Sequence, residues 1–269
     1  MAASTPPAGT FPATPGPVWP LPAAPDPGLV WSAAEARAFD AWLSQEAGIP
    51  NSCLMENAAA SLAFLVRRLL AAEGAIPEPR EILWIAGPGN NGGDALVALR
   101  QLLGEPGLEH RLILPLGPPR EKAPDARRAW EQLRTLGLRA EAQFPDPQEP
   151  PWLLVDGLFG TGLRRPLEGA AVEAVARARS LREAGSRVLA ADLPSGLDAD
   201  RGTVLGAILP ADDTLQFAAC KRGALEPGAR TLCGRLWIAG IGVSLALGRA
   251  WAEARRRGEA LPPPRASGS

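Results

Sequence analysis

The sequence predicts an α/β fold, a mostly parallel central sheet with helices on both of its faces. Six short apolar runs, each bounded by Gly, Pro or charge, alternate with segments that carry apolar residues at helical spacing. The runs are apolar nearly throughout instead of alternating with polar residues, the pattern of strands buried on both faces. A chain of 269 residues, 46% hydrophobic and 21% charged, can fill one large α/β domain or two small ones, with tails.

The elements follow in order. Residues 1–28, "MAASTPPAGTFPATPGPVWPLPAAPDPG", form a Pro- and Ala-rich stretch read as a flexible leader, because it lacks a basic segment followed by an apolar run. "WSAAEARAFDAWLSQEAGIP" predicts a helix with Ser32 as N-cap and Glu35 three residues on, a capping box. A second helix, largely buried, is expected from Asn51 and closes on Gly74. The strand runs are "EILWIAG", "HRLILPLG", "WLLVDGLFG", "SRVLAADLP", "DTLQF" and "RLWIAGIG". Between several of them lie the helical patterns "GDALVALRQLLG", "APDARRAWEQLRTLG" and "EGAAVEAVARARSLREAG". One more helix starts near Ser244, and residues 251–269 are read as its charged end and a disordered tail.

Charge and cysteine usage exclude several classes. With 28 basic against 29 acidic residues the chain carries no electrostatic footprint for nucleic acid or for an anionic membrane, so a small molecule or a protein is the expected partner. No run is long and apolar enough to span a bilayer. Cys53, Cys220 and Cys233 are scattered without a C-x-x-C pair, which argues against a disulfide framework or a structural zinc site and for a reducing, cytoplasmic setting.

In an open parallel sheet the ligand lies beyond the carboxyl ends of the strands, and three loops there can carry chemistry. "GPGNNGGD" fits G-x-G-x-x-G with Gly87, Gly89 and Gly92, but the next strand ends "LILPLGPP" without the acid that would hold a ribose; Glu109 precedes that strand instead. No Lys follows the glycines, so it is not a P-loop, and Asp94 there reads either as a group for hydroxyl or amide recognition or as a helix-dipole partner. Asp156 and Asp192 each end an apolar strand, where a carboxylate needs a cation or several donors. Asn91, Asp156 and Ser195 together offer hard oxygen ligands to a metal ion; the alternative is that each Asp accepts backbone N–H bonds in a turn. "GLFGTGLRRPLEG" sets Gly160, Thr161 and Gly162 beside Arg164 and Arg165, a turn suited to a phosphate, although the arginines fit a solvated face equally. His110, the only histidine, stands away from these loops and reads as structural, as do Trp84, Trp152 and Trp237. Lys221 follows another strand and is a candidate for the same cleft.

Taken in order, "LMENAA", "GPGNNGGD", "VDGLFGTGLRRPLEG", "DLPSGLDAD", "TLQF" and "KRGAL" resemble the hallmarks of the NAD(P)H-hydrate epimerase family, also called the YjeF N-terminal domain. The resemblance runs from about Trp31 to Gly242 and gives the domain bounds as 29–250. It implies a Rossmann-like three-layer α/β/α sandwich that interconverts the R and S epimers of NADHX and NADPHX, with the dinucleotide as substrate. It implies a potassium ion on Asn91, Asp156 and Ser195, and substrate contacts from Asn90, Asn91, Gly92, Gly93, Asp94, Gly160, Thr161, Gly162, Leu163, Arg164, Arg165, Pro166 and Asp192. A homodimer is implied as well, with an NAD(P)HX dehydratase as functional partner on a separate chain or in a second domain. Inversion at the hydrated carbon needs a proton moved to or from its hydroxyl, which assigns Asp192 as acid/base and Lys221 as a second catalytic candidate.

Two departures stand out. Ala95 occupies a position where the family usually has Gly, and "AACKRG" replaces the usual "GAPKPG" around Lys221. The alternative readings are a non-catalytic dinucleotide-binding or scaffold protein on the same fold, and an ordinary NAD-dependent oxidoreductase, which the missing ribose acid disfavours.

Overall fold

The computed structural model describes residues 17–72 and 79–260. The helix stop expected at Gly74, the first 16 residues of the leader and the tail beyond residue 260 lie outside them. The six expected strands all form: β3 (Arg80–Ala86), β4 (Leu108–Ile113), β5 (Leu153–Gly157), β6 (Arg187–Ala191), β7 (Asp213–Phe217) and β9 (Arg235–Ala239). Three short strands were not foreseen, β1 (Val18–Pro20), β2 (Val30–Trp31) and β8 (Cys220–Lys221). The seven-stranded sheet has the order β1-β9-β7-β6-β5-β3-β4, parallel throughout except for the antiparallel edge strand β1.

β1 corrects the reading of residues 1–28 as a flexible leader. Val18, Trp19 and Pro20 pair with Ala239, Ile238 and Trp237. Proline is tolerated there because an edge strand has one unpaired side.

Helices α1 (Ala33–Gln45), α2 (Asn51–Ala72), α3 (Asn90–Leu102), α4 (Pro124–Thr135), α5 (Ala170–Glu183), α6 (Pro227–Cys233) and α7 (Leu245–Arg257) complete the layers. One cluster of buried side chains, including Trp84, Leu62 and Leu99, packs α2, α3 and α4 on one face of the sheet, and a second packs α5 on the other through Leu83, Val175 and Leu181. The capping box forms as expected: the Ser32 hydroxyl accepts from the Glu35 N–H at 3.1 Å, and Glu35 Oε2 accepts from the Ser32 N–H at 2.8 Å. His110 is structural. Its Nδ1 accepts from Trp84 Nε1 at 3.2 Å, its Nε2 meets the Leu102 carbonyl at 3.1 Å, and burial lowers its pKa.

The chain runs outward from β3 to β4 and then crosses back to β5 on the other side of β3. The carboxyl ends of β3 and β5 are therefore the topological switch point, where adjacent loops diverge and leave a crevice. The two glycine-rich segments leave from these two strands.

Candidate functional site

At the switch point the backbones meet at distances that only glycine allows. The Gly87 N–H donates to the Gly157 carbonyl at 3.1 Å, and a Cβ on Gly87 would lie 1.9 Å from the Leu158 carbonyl oxygen. The segment read as a loop up to Asp94 is in fact helical from Asn90, with Gly89 as N-cap. Glycine disfavours helix by about 1 kcal/mol, so tertiary contact overrides propensity here. A Cβ on Gly92 would strike the Gly87 carbonyl oxygen at 1.9 Å, and one on Gly93 would reach the Met55 side chain at 2.6 Å. The missing side chains of Gly92 and Gly93 thus make room for protein. Ala95 is accommodated because Gly157 faces it: a Cβ on Gly157 would stand 2.6 Å from that of Ala95.

The loops after β5 and β6 are laced together through side chains. Asp156, fully buried, accepts from the Ser195 hydroxyl at 2.6 Å and the Leu158 N–H at 3.2 Å on Oδ1, and from the Ser195 N–H at 2.8 Å on Oδ2. Ser195 Oγ in turn accepts from the Phe159 N–H at 2.9 Å. Burial pushes the Asp156 carboxyl up to about 6, against the opposing bonds from Ser195 and Leu158. Asn91 joins them across Gly160, whose added Cβ would lie 2.8 Å from both Asn91 Oδ1 and Asp192 Oδ2. The Asn91 Nδ2 is buried without a hydrogen-bond partner.

Asp192 and Lys221 form the centre of the site. Both are buried, and Lys221 Nζ makes an ion pair with Asp192 Oδ1 while donating to the Phe217 carbonyl at 2.8 Å. Asp192 Oδ2 accepts from the Thr161 N–H at 3.0 Å. Gln216 ties the two residues together, its Nε2 donating to the Asp192 carbonyl at 2.6 Å and its Oε1 accepting from the Lys221 N–H at 2.8 Å.

Two neighbouring strands end in the same strained turn. Asp192 has φ 66° and Ala218 φ 63°, and each is spanned by a two-residue bond, Leu193 N–H to the Ala191 carbonyl at 2.8 Å and Ala219 N–H to the Phe217 carbonyl at 2.7 Å. Such γ-turns are rare for residues with a Cβ and cost about 1–3 kcal/mol each. Ala218 takes the place of the first glycine in the pattern the chain departs from, so the altered loop keeps the backbone path and bears the strain.

Asp94 and Asp40 complete the charge cluster. Burial, then Asp192 and then Asp40, push the Asp94 carboxyl well above the usual range, with Lys221 opposing. Asp94 is the fifth residue of α3, beyond the first turn where the helix dipole acts, so the dipole reading gives way to membership of this cluster. Asp40 on α1 is exposed, yet crowding by the surrounding protein raises its pKa to about 6, with Lys221 lowering it and Asp192 raising it.

The turn expected to present N–H groups to phosphate uses two of them internally, since Thr161 donates to Asp192 and Leu163 to the Gly160 carbonyl. Arg164 and Arg165 remain exposed, Arg164 lying 3.9 Å from Asp200, and Gly162, Pro166 and Asn90 are exposed beside them. Leu163 is half-buried on the α5 side of the sheet. Sequence reasoning missed Asp40, Arg37 and Gln216. Only Gln216 had a visible signal, a polar residue inside the apolar run "DTLQF".

The sequence model described as "YjeF-related protein N-terminus" matches residues 51–223. The chain belongs to this family. Among curated members, the NAD(P)H-hydrate epimerase of Bordetella pertussis is 39% identical over 212 residues, covering 73% of this chain and 90% of that protein. The bifunctional NAD(P)H-hydrate repair enzyme Nnr of Thermofilum pendens is 35% identical over 227 residues, covering 80% of this chain and 40% of that longer protein. The crystal structure of yeast ynu0 superposes with a TM-score of 0.68 at 21% identity over 88% of this chain and 97% of the yeast one, which shows the shared fold. The YjeF-related segment thus contains the whole cluster around Lys221 except Asp40, which precedes the matched region.

Replacing Ala218 with Gly removes the steric cost of the left-handed backbone while adding some unfolded-state entropy. Urea denaturation of Ala218→Gly is expected to show a gain of about 0.5–1 kcal/mol; a loss would mean the turn is not strained.

Proposed function

We propose that this chain is an NAD(P)H-hydrate epimerase, an isomerase that interconverts the R and S epimers of NADHX and NADPHX in nicotinamide nucleotide repair. The observation that carries the reading is the match to a curated epimerase, 90% of whose length is covered at 39% identity by 73% of this chain. The geometry supplies what the reaction needs.

The hydrated carbon bears a hydroxyl next to the ring nitrogen. Its inversion passes through a planar iminium or a ring-opened form, and either route requires a proton to be given to that oxygen or taken from it. Asp192 suits this step, a buried carboxylate at the crevice held by the Thr161 N–H and by Lys221. Lys221 holds the carboxylate and offers its ammonium to the substrate oxygen. Asp94, held toward its neutral form, can donate to an amide or hydroxyl, while the exposed Arg164 and Arg165 would meet the phosphates.

A potassium ion fits the donor set of Asn91, Asp156 and Ser195. The buried Asp156 has hydroxyl and N–H partners but, among the described residues, no basic one, and Asn91 Oδ1 is turned to Gly160 on the loop that follows Asp156. These hard oxygens suit an alkali ion and not zinc or copper. Among the described residues no group of three or more His, Cys, Asp and Glu could hold a metal. When bound, the ion would supply positive charge that fixes the loops after β3, β5 and β6 around the substrate.

Three free cysteines, and the absence of any membrane-crossing helix among the described residues, support a cytoplasmic setting. The bifunctional relatives support an NAD(P)HX dehydratase as functional partner. A homodimer is the assembly that the family resemblance implies.

A coupled assay with racemic NADPHX and an S-specific dehydratase tests the reading. The R epimer should be consumed faster than it epimerises spontaneously, and Asp192→Asn should slow this at least about 100-fold; no acceleration by the wild-type chain refutes the function, and an unaffected variant refutes the role of Asp192. Potassium chloride should raise the melting temperature above that in choline chloride, and Asp156→Asn should abolish the difference. Equal melting temperatures in the two salts would remove the ion.

A further inference from the structure

The first helix packs against the site in a way the glycine loops do not reveal. β2 pairs in parallel with β8, placing Trp31 opposite Lys221, and α1 starts two residues later. The Ala33 N–H at the start of α1 donates to Asp200 Oδ1 at 2.7 Å, so the helix is bound to the loop that follows β6. Trp31 is locked in place by Phe39 and Trp251, with ring centroids at 5.0 and 5.6 Å. Ala36, Phe39 and Leu43 turn to the core. Ala33, Arg37 and Asp40 share another face, three and four residues apart. Each point on that face meets the site: Ala33 bonds Asp200, Arg37 lies within the field of Arg164 and Asp200, and Asp40 lies within that of Lys221, Asp192 and Asp94.

We propose that Asp40 is a second proton-transferring residue of this site, serving one face of the hydrated ring while Asp192 serves the other. The proposal rests on the epimerase reading. Four charged groups from four elements converge here, Asp40 from α1, Asp94 from α3, Asp192 from the end of β6 and Lys221 from β8. Burial, and besides it the neighbouring carboxyls, raise both Asp94 and Asp40 against the opposing Lys221 ammonium. Asp94 is pushed furthest toward its neutral form. Asp40, exposed and with its pKa raised to about 6, can exchange its proton with water and release it near neutrality.

By the iminium route water leaves from one face of the carbon and enters at the other, so a proton-transferring group on each face serves both directions. Asp40 gives its proton to the hydroxyl. The C–O bond breaks, the nitrogen lone pair forms the C=N bond of a planar iminium, and water departs. On the opposite face Asp192 takes a proton from a second water as that oxygen bonds to the same carbon, and the C=N electron pair returns to nitrogen. One water leaves, one enters, and nothing is oxidised or reduced. The reverse direction exchanges the two roles, and solvent resets the pair.

The test uses the full chain in the coupled assay. Wild-type activity is established first, since an inert wild type overturns both this proposal and the epimerase reading. Asp40→Asn is then expected to lower kcat about 100-fold with KM within about threefold of wild type, and Asp40→Glu to recover at least about a tenth of the activity. The wild-type profile of kcat/KM against pH should show an inflection near pH 6 from Asp40, and Asp40→Asn should lose it. An Asp40→Asn enzyme with wild-type kcat and an unchanged profile overturns the proposal and leaves the epimerase reading intact. So does a variant in which only KM rises, which would make α1 a binding wall.

Discussion

The buried ion pair between Lys221 and Asp192 is the interaction on which the rest of the site depends. Taking two charges out of water costs several kcal/mol each, and such a pair returns that only with good geometry and further hydrogen bonds. The chain supplies those bonds from three directions: the Phe217 carbonyl, the Thr161 N–H and the doubly bonded Gln216. It also holds Asp192 and Ala218 in left-handed turns that their side chains disfavour. A pair of matched apolar residues would serve stability at least as well, so the investment of strain and buried charge points to chemistry.

The constraint spreads outward from there. Asp192 needs the loop after β5 to come close, and Gly160 permits it, since any side chain there would collide with Asp192 and Asn91. That loop is fixed in turn by Asp156 and Ser195, and the helix bearing Asn91 and Asp94 can press onto it only through Gly87, Gly92 and Gly157. Lys221 needs a strand beneath it. β8 is two residues long and is steadied by β2, which ties the site to the entire α1 and α7 side of the molecule. The crevice is therefore a consequence of the strand order, and its chemistry a consequence of which side chains end those strands.

Much of this was legible in the sequence. Apolar runs two-sided enough to be central strands gave the sheet, and the residues just past them gave Asn91, Asp156, Asp192, Ser195 and Lys221, which the structure gathers at one sheet end. The helical state of Asn90–Asp94 was illegible because four residues of low helix propensity precede Asp94, and close packing against Gly87 outweighs that preference. β1, β2 and β8 are too short to show a period, and β1 lies among prolines. Asp40 was hidden for a different reason. A charged residue on the open face of an amphipathic helix looks solvated until tertiary structure shows what that face meets.

On the proposed function the hydrated ring is held at the carboxyl ends of β6 and β7, with its reacting carbon beside Asp192 and Lys221. A crystal structure of the chain soaked with NADP+, which shares the dinucleotide but cannot react, tests it most directly. The nicotinamide ring is expected in the crevice, with carbon 6 within hydrogen-bond reach of the Asp192 carboxylate through one water and the phosphates towards Arg164. A dinucleotide bound with its nicotinamide away from Asp192 and Lys221 would contradict it.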